Sequence, residues 1–318
     1  MIQRRPAESR YPIPVEVPYR LDLTVSVLRR LSTNLVDVLT PAGGYVRVLG
    51  DTAVPVVVRA SQPNPETLTI GIEGDRRDHP RLLALVRRML GVEVDLTGFY
   101  RSASSSPWLD PLVLRMRGVR PPRYPTLWEA CVNAVVFQQV SLVAASAIMG
   151  RLIAALARTV DREGVHLYRF PGLEEVQDAG DSLLRAAGLS AGKLATLRRV
   201  GDVLGKGVLD EARLEQLPSA EAGRLLCGIK GIGPWTAAVI LLRGLGRLDV
   251  FPSDDTSVAR NLALIGRSAP TDLETVLEAL GPDRGMLYYH LLLARLEARG
   301  QLALSAASTR QSAGALGA

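Results

Sequence analysis

The residues most able to support chemistry lie in one segment, which begins with a glycine-rich turn. The turn reads GIKGIGP over residues 228–234 and stands between two stretches of helical period. Gly231 and Gly233 tolerate positive φ and allow another surface to approach the backbone, and Pro234 suits the first turn of a helix. The free N–H groups at such a helix start form an anion site, and a phosphate diester is its natural occupant. A plain αα-hairpin capped by glycine would give the same pattern and stays open as the alternative.

Two adjacent carboxylates, Asp254 and Asp255, follow the turn in the same segment. Such a pair invites comparison with enzymes that use two carboxylates for acid and base chemistry. Neighbouring residues at a helix start point in different directions, however, so only one of the two could face a substrate. Aspartate is also a good N-cap residue, which is the simpler interpretation of Asp254.

Metal chemistry is not favoured by the cysteine and histidine content. The chain has two cysteines, Cys131 and Cys227, which are too few for a four-thiolate zinc or iron–sulfur site. The three histidines, His79, His166 and His290, form no H-E-x-x-H pair. We therefore expect no transition-metal centre and interpret both cysteines as small, buried apolar residues.

Charge and hydropathy limit the class of protein. The net charge of +6 suits a polyanionic partner, although basic balance alone indicates only nonspecific attraction. No run approaches the roughly 18 apolar residues of a membrane span, and the basic N-terminus lacks the apolar region of a secretory signal. These features predict a soluble, cytoplasmic protein with no membrane contact.

The elements that must position this segment fall into two groups. Residues 15–28, 45–60 and 68–74 carry β-branched and alternating apolar residues, which predicts a small antiparallel sheet. Residues 79–92 have helical spacing and a glycine near the end, so the first hundred residues read as an α+β unit. From about residue 110 the pattern changes to Ala- and Leu-rich helical segments.

These segments predict an all-α domain that begins after a Pro-rich loop at residues 120–125. Thr126 reads as an N-cap with Glu129 at the third helical position. The predicted helices span 126–140, 141–158, 173–178, 180–187, 191–204, 210–217, 219–227, 234–244, 254–265, 272–280 and 284–299.

The glycine-rich segment resembles the helix–hairpin–helix DNA glycosylases, in which such a hairpin is followed by a catalytic aspartate. The hairpin match is IKGIGPWTAA at residues 229–238, and the aspartate match is FPSDD at residues 251–255. Asp255 follows Trp235 by twenty residues, and this F-P-x-x-D form is similar to the alkylpurine branch. The resemblance implies that Asp255 is the catalytic carboxylate.

Two other stretches support the resemblance. AVVFQQVS at residues 134–141 is similar to a helix end of the family, where the residue matching Gln139 inserts into the duplex in place of the extruded base. Gly188-Leu189-Ser190 followed by Lys193 resembles another recurrent stretch. The N-terminal unit also has the size and order of the accessory domain of the AlkA-like 3-methyladenine glycosylase II family.

The resemblance implies a fold and a domain order. We expect an α+β protein with an AlkA-type N-terminal domain over residues 1–112, containing a small antiparallel (TBP-like) sheet. An all-α helix–hairpin–helix catalytic domain follows over residues 113–300, and residues 301–318 are expected to be a disordered tail. Double-stranded DNA containing damaged bases is the implied partner, with a monomeric enzyme, no obligate protein partner and an association with the nucleoid.

The implied activity is excision of alkylated, cationic purines such as 3-methyladenine in base excision repair. The glycosidic bond is unreachable inside a duplex, so the nucleotide must be extruded. Cleavage leaves positive charge on the sugar, which a carboxylate beside C1′ stabilises. Alkylation at N3 or N7 makes the base a good leaving group, which agrees with the lack of an obvious general acid.

Aromatic side chains could recognise such a cation through its attraction to their π faces, which contributes roughly 0.5–2 kcal/mol. Each of these side chains could equally belong to the hydrophobic core. The sequence also departs from the family pattern, since Val239 is not aromatic and residues 282–292 lack a tryptophan, so the substrate range stays open. The pocket candidates are Trp235, Trp128, Phe137, Tyr288 and Tyr289.

The same resemblance assigns roles to the hairpin. Besides Gln139, residues expected to contact DNA are Gly231, Gly233, Thr236 and Lys230. Bifunctional relatives carry a lysine where Trp235 stands, and a Schiff base needs an amine, so we expect no β-lyase activity. No cofactor is expected to be required. The backbone carbonyls of Cys227, Ile229 and Ile232 could bind a monovalent cation, Na⁺ or K⁺.

Three other functions stay open from sequence. A non-catalytic DNA-binding protein could use the hairpin only to hold the backbone, which the spacing of Asp255 argues against. A glycosylase for an oxidised or deaminated base could share this two-domain order, although the oxidised-purine branch generally needs the hairpin lysine. A structural helical protein with a fortuitous hairpin would show no salt-dependent affinity for DNA.

Overall fold

The computed structural model describes residues 8–40, 43–50, 55–162, 165–253, 258, 261–262 and 273–302. Asp254 and the predicted catalytic Asp255 lie outside the described residues, as do residues 303–318 of the predicted tail. Within the described part, no helix is both long enough and apolar enough to span a bilayer.

An antiparallel five-stranded sheet forms the core of the N-terminal part, as the alternating pattern predicted. The spatial order of the strands is β1-β5-β4-β3-β2. The strands are β1 (Glu8–Pro14), β2 (Val38–Leu39), β3 (Tyr45–Leu49), β4 (Val56–Asn64) and β5 (Thr67–Glu73).

The predicted strand over residues 15–28 is wrong, because most of this segment is helix α1 (Leu21–Arg29). Leu21, Val25 and Leu28 pack on the core of the sheet, whereas Leu23 and Val27 pack on the opposite side against the C-terminal helices. Both faces of α1 are therefore buried. The polar residues Asp22, Thr24 and Ser26 alternate with apolar, partly β-branched residues, so this short segment has the period of a strand.

Most of the remaining helices follow the predicted segments, with ends that differ by a few residues, but the helices over residues 97–104 and 110–115 were not predicted. Most of the predicted helix over residues 254–265 lies outside the described residues. Helices α3 and α4 pack in the same core as the C-terminal helices, across the predicted boundary at residue 112. The helices are α2 (His79–Met89), α3 (Thr97–Ser104), α4 (Asp110–Arg115), α5 (Leu127–Val136), α6 (Leu142–Leu156), α7 (Leu173–Asp178), α8 (Asp181–Ala186), α9 (Ala191–Gly205), α10 (Glu211–Gln216), α11 (Ser219–Cys227), α12 (Pro234–Gly244), α13 (Leu273–Leu280) and α14 (Gly285–Glu297).

The second half is not entirely α-helical, which corrects the predicted fold class. Strands β6 (Thr159–Arg162) and β7 (Val165–Tyr168) form an antiparallel pair between α6 and α7. Leu167 of β7 packs with Val46, Val48 and Val57 of the main sheet. The β6–β7 pair covers the face of the sheet opposite to α1. The helical pattern of this half of the sequence did not indicate these two strands.

A buried ionic cluster joins the sheet to helix α5. Arg47 on β3 donates from Nη2 to both carboxylate oxygens of Glu129, at 2.7 and 2.5 Å, and from Nη1 to Asp37 at 2.6 Å. Thr126 caps α5 by accepting from the Glu129 backbone N–H, as predicted, but the Glu129 side chain extends to Arg47. One guanidinium thus serves two carboxylates, and burial raises the pKa of Glu129 to about 7.

We expect Glu129→Gln to lower the free energy of unfolding by about 2 kcal/mol, because a buried charged hydrogen bond is lost. Chemical denaturation followed by circular dichroism measures this. Glu93→Gln is the matched control, since Glu93 pairs with Arg87 at the surface, where exposed ion pairs contribute less than about 1 kcal/mol. Equal losses for both variants would contradict a stabilising role for the buried cluster.

Candidate active site

A cleft of about 830 Å³ lies between the α5–α6 loop, the hairpin and the C-terminal helix α14. Helix α1 also contributes a residue, Arg30, which follows its last turn. The lining residues come from six parts of the chain: Arg30; Phe137, Gln138, Gln139, Val140, Ser141 and Leu142; Gly231 and Gly233; Pro234, Trp235, Thr236 and Val239; Val258 and Asn261; Tyr288, Leu291, Leu292 and Arg295.

The α5–α6 loop presents Gln139 to solvent at the mouth of the cleft. Gln139 has φ = 53°, a left-handed conformation that costs a non-glycine residue roughly 1–2 kcal/mol. Ser141 fixes the start of α6 by accepting from the Ala144 N–H, and Lys193 Nζ donates to the Val136 carbonyl at the end of α5. Strain of this kind clusters at ligand-binding sites, where surrounding contacts hold it.

The hairpin joins α11 to α12 through a turn whose geometry requires glycine at one position. Gly231 has φ = 103°, and a Cβ there would overlap the side chain of Thr196. Gly233 precedes α12 with extended backbone, and a Cβ there would meet nothing within 4 Å. The exposed start of α12 therefore presents its free N–H groups beside open space, as an anion site does.

Gln138 ties the loop to the hairpin. Its Nε2 donates to the Gly231 carbonyl at 3.0 Å and to Thr236 Oγ1 at 2.8 Å. Thr236 is buried, so this bond is shielded from water at one end. The loop carrying Gln139 and the turn carrying Gly231 are thus held at a fixed separation.

Three of the five predicted pocket aromatics line the cleft, namely Trp235, Phe137 and Tyr288. The buried Nε1–H of Trp235 has no acceptor among the described residues. Trp128 and Tyr289 were also predicted to line the pocket, but they lie in the hydrophobic core. Trp128 Nε1 donates to the Pro171 carbonyl and Tyr289 Oη to the Leu242 carbonyl, so helix packing turns both rings away from the cleft.

Arg30 is a cleft residue that no sequence motif indicated. Its guanidinium carbon lies 3.9 Å from the centroid of the Phe137 ring, and the residue is only 7% exposed. Its φ of 59° is again left-handed. Burial lowers the pKa of Arg30, and the nearby Arg243 lowers it further. Such a guanidinium is held by packing and by its ring contact rather than by an ion pair.

The predicted cation ligands and Lys230 lie around the turn. Lys230 is exposed at the tip, and its carbonyl accepts from Arg199 Nη1. The Ile229 carbonyl accepts from the Ile232 N–H at 2.9 Å. Cys131 is buried as expected, but Cys227 is exposed because it ends α11 beside this turn. Among the described residues, no three His, Cys, Asp or Glu side chains cluster as metal ligands do.

The chain on both sides of Asp255 is near the cleft, although Asp255 itself lies outside the described residues. Phe251 is buried in the core that contains α14, and Val258 and Asn261 line the cleft. Asn261 is a polar residue that is only 7% exposed. Sequence reasoning assigned no role to Asn261, to Arg30 or to the tether Gln138; of these, only Gln138 lies in a motif that could have indicated it.

Comparison with known proteins supports the resemblance that the motifs predicted. No protein-family model matches the chain. It is 33% identical over 206 residues to a probable bifunctional transcriptional activator/DNA repair enzyme AlkA of Mycobacterium tuberculosis, covering 64% of this chain and 40% of that protein. It is 23% identical over 224 residues to a DNA-3-methyladenine glycosylase of Bacillus subtilis, covering 69% and 74%. The chain thus spans less than half of the mycobacterial relative.

Solved structures show the same fold over most of the chain. A 3-methyladenine DNA glycosylase of Archaeoglobus fulgidus superposes with a TM-score of 0.76 at 24% identity, covering 89% of this chain and 97% of that one. An 8-oxoguanine glycosylase/lyase of Clostridium acetobutylicum bound to double-stranded DNA gives 0.71 at 15% identity, covering 94% and 100%. The chain is therefore similar in sequence to proteins named AlkA and DNA-3-methyladenine glycosylase, and it has the fold of these solved DNA glycosylases.

Proposed function

We propose that the protein is a monofunctional DNA glycosylase that removes damaged purines, alkylated ones foremost, from double-stranded DNA. The observation that carries the proposal is the tethered pair of loops, in which Gln138 holds the exposed Gln139 beside the hairpin turn at the mouth of one cleft. A protein that extrudes a base needs a side chain to fill the gap, a phosphate contact beside it and a pocket for the base. These three features meet here.

The proposed catalytic step depends on the charge that develops on the sugar during base release. When the C1′–N bond breaks, the sugar becomes positively charged, and a carboxylate beside it stabilises that charge and orients water for attack at C1′. We assign this role to Asp255. The chain reaches the cleft again at Val258, three residues later, which supports the assignment.

The hairpin is proposed to hold the phosphate next to the extruded nucleotide through the N–H groups at the start of α12. Gly233 leaves room for this approach, and Thr236 and Lys230 lie at its sides. Cys227, Ile229 and Ile232 belong to this turn or adjoin it, and backbone carbonyl oxygens are ligands of the kind that Na⁺ or K⁺ takes. A monovalent cation there would supply positive charge toward the phosphate.

Strand cleavage is not expected to accompany base release. Trp235 stands where an amine nucleophile would be needed, Lys193 is hydrogen-bonded to a backbone carbonyl, and Lys230 lies at the exposed tip of the turn.

The test is base release from duplexes that each contain one lesion: 3-methyladenine, 7-methylguanine, hypoxanthine, ethenoadenine or 8-oxoguanine. Release of alkylated purines, leaving abasic strands that only later alkali treatment cuts, is the expected result. Binding to these duplexes without release of any base would contradict the proposal and favour a non-catalytic DNA-binding protein. Preference for 8-oxoguanine with strand cleavage would place the protein in the oxidised-purine branch.

Gln139→Gly is expected to lower base release at least about tenfold while leaving the free energy of unfolding unchanged or up to about 1 kcal/mol higher. Glycine relieves the left-handed backbone but removes the side chain that fills the gap. Single-turnover excision and thermal denaturation measure the two effects.

The control is the same lesion placed opposite an abasic site, where the base is already poorly stacked. On that duplex, Gln139→Gly should lower base release by a smaller factor. Extruding such a base costs less free energy and depends less on the inserted side chain. An equal loss on both duplexes would show that Gln139 does not fill the gap.

A further inference from the structure

Arg30 combines three properties that set it apart from the other charged residues of the cleft. It lines the cleft although it comes from the N-terminal helix α1, its guanidinium stacks on Phe137, and its backbone is left-handed. Its buried Nη1 has no hydrogen-bond partner among the described residues. A buried cationic donor without an acceptor is costly, and beside a cleft the acceptor can come from water, an ion or a bound ligand.

The surroundings do not neutralise this cation. Asp37 acts on Arg30 electrostatically, but its Oδ1 already accepts from Arg47 and from Tyr45. A second buried guanidinium, Arg243, is near enough to lower the pKa of Arg30 and donates to the Val27 carbonyl. The described residues behind Phe137 therefore leave positive charge next to the cleft.

The position of Arg30 also changes what Phe137 can do. One face of the Phe137 ring is occupied by the guanidinium at 3.9 Å. A cationic base cannot use that face, and on the opposite face it would approach a ring that is already stacked on a positively charged guanidinium. The electron-rich surface expected to attract alkylated purines is therefore reduced to Trp235, Tyr288 and the opposite face of Phe137.

We propose that Arg30 is a specificity-determining residue, whose guanidinium donates to an acceptor on the extruded base and raises activity on uncharged oxopurines relative to activity on the cationic purines, which remain the foremost substrates. This inference rests on the proposed glycosylase function and concerns which bases that site prefers. Hypoxanthine offers a carbonyl oxygen at C6 and carries no charge, whereas 3-methyladenine carries an amino group there and a positive charge.

The same arrangement acts on the leaving group. When an uncharged purine departs, the C1′–N9 bond breaks with its electron pair going to the purine, water adds to C1′, and a proton from that water ends on the purine. A guanidinium beside the purine stabilises the negative charge that forms in this step. A cationic purine leaves as a neutral molecule, so Arg30 contributes nothing to its departure and disfavours its binding.

The test compares kcat/KM for duplexes containing hypoxanthine, 7-methylguanine or 3-methyladenine, using wild type, Arg30→Met and Arg30→Lys. Methionine keeps the unbranched apolar stem of the side chain and removes its charged group. We expect Arg30→Met to lower the hypoxanthine-to-3-methyladenine ratio about 10- to 100-fold, the effect of losing a charged hydrogen bond. 7-Methylguanine, which is cationic but has the C6 oxygen, separates the effect of charge from that of the acceptor.

Arg29→Met is the matched control, since Arg29 precedes Arg30 in α1 but does not line the cleft. It should leave the ratio unchanged. If Arg30→Met does not fold, Arg30→Lys decides, because loss of the planar fork should still lower the ratio.

A uniform loss on all three bases would show that Arg30 only supports Phe137, and it would overturn the proposal. If Arg30→Met does not fold, a hypoxanthine-to-3-methyladenine ratio in Arg30→Lys equal to that of the wild type would also overturn the proposal. No release by the wild type from any duplex would instead remove the proposed glycosylase function itself.

Discussion

Base release by Asp255→Asn protein is expected to fall about 10³-fold relative to wild type, while binding to the same duplex stays equal or becomes slightly tighter. Asparagine keeps the shape of the side chain but cannot stabilise the positive sugar, and removal of one preorganised electrostatic group costs roughly 10²–10³ in rate. Binding does not weaken because a negative charge is removed from a surface that meets phosphates. Single-turnover excision and fluorescence anisotropy measure the two quantities.

Asp254→Asn is the matched control, one residue earlier in the same segment. Asparagine caps a helix as well as aspartate does, so this variant should keep its excision rate and its stability. Equal losses in both variants would contradict the assignment of Asp255, and a loss in Asp254→Asn alone would move the catalytic role to Asp254.

Gly231→Ala is expected to lower the free energy of unfolding by about 3 kcal/mol or more and to weaken DNA binding. The left-handed φ of 103° disfavours alanine by roughly 1–2 kcal/mol, and the overlap with Thr196 adds an overpacking cost of about 1–3 kcal/mol. The new Cβ would lie 2.9 Å from the Cβ of Thr196, so rotation of that side chain cannot relieve the contact.

Gly233→Ala separates stability from binding at a neighbouring position. The backbone there is compatible with alanine, and the Cβ would meet no atom within 4 Å. Stability should therefore change by less than about 0.5 kcal/mol, whereas a methyl group beside the start of α12 should hinder the phosphate. A large loss of stability in Gly233→Ala, or none in Gly231→Ala, would contradict the turn geometry.

The sequence predicted most helices because they are amphipathic and are separated by glycine and proline. The segments over residues 173–178, 219–227 and 234–244 match the observed helices end to end. Helix α1 was not recognised, since it is buried between the sheet and the C-terminal helices and its polar residues alternate with apolar ones as in a strand. The short pair β6–β7 was missed because its outward residues are polar and only Leu167 enters the core.

Within the site, short motifs indicated the residues whose roles depend on local backbone geometry. The glycines of the turn and the loop residue Gln139 belong to this class. Arg30 could not be found in this way, because its contact with Phe137 joins distant parts of the chain through packing. Trp128 and Tyr289 were misassigned for a related reason: a pattern of aromatic residues does not tell which side of a packed helix they face.

The hydrogen bonds of Gln138 bear on the mechanics of the proposed complex. Hydrogen bonds join the loop that is proposed to fill the gap to the turn that is proposed to bind the phosphate. If this keeps their spacing constant, a duplex that contacts both would have to bend to match it. The elastic work of that distortion depends on local base-pair steps and on lesions that soften them. Part of the discrimination between damaged and intact DNA would then arise from differences in the stiffness of the duplex, before any base enters the cleft.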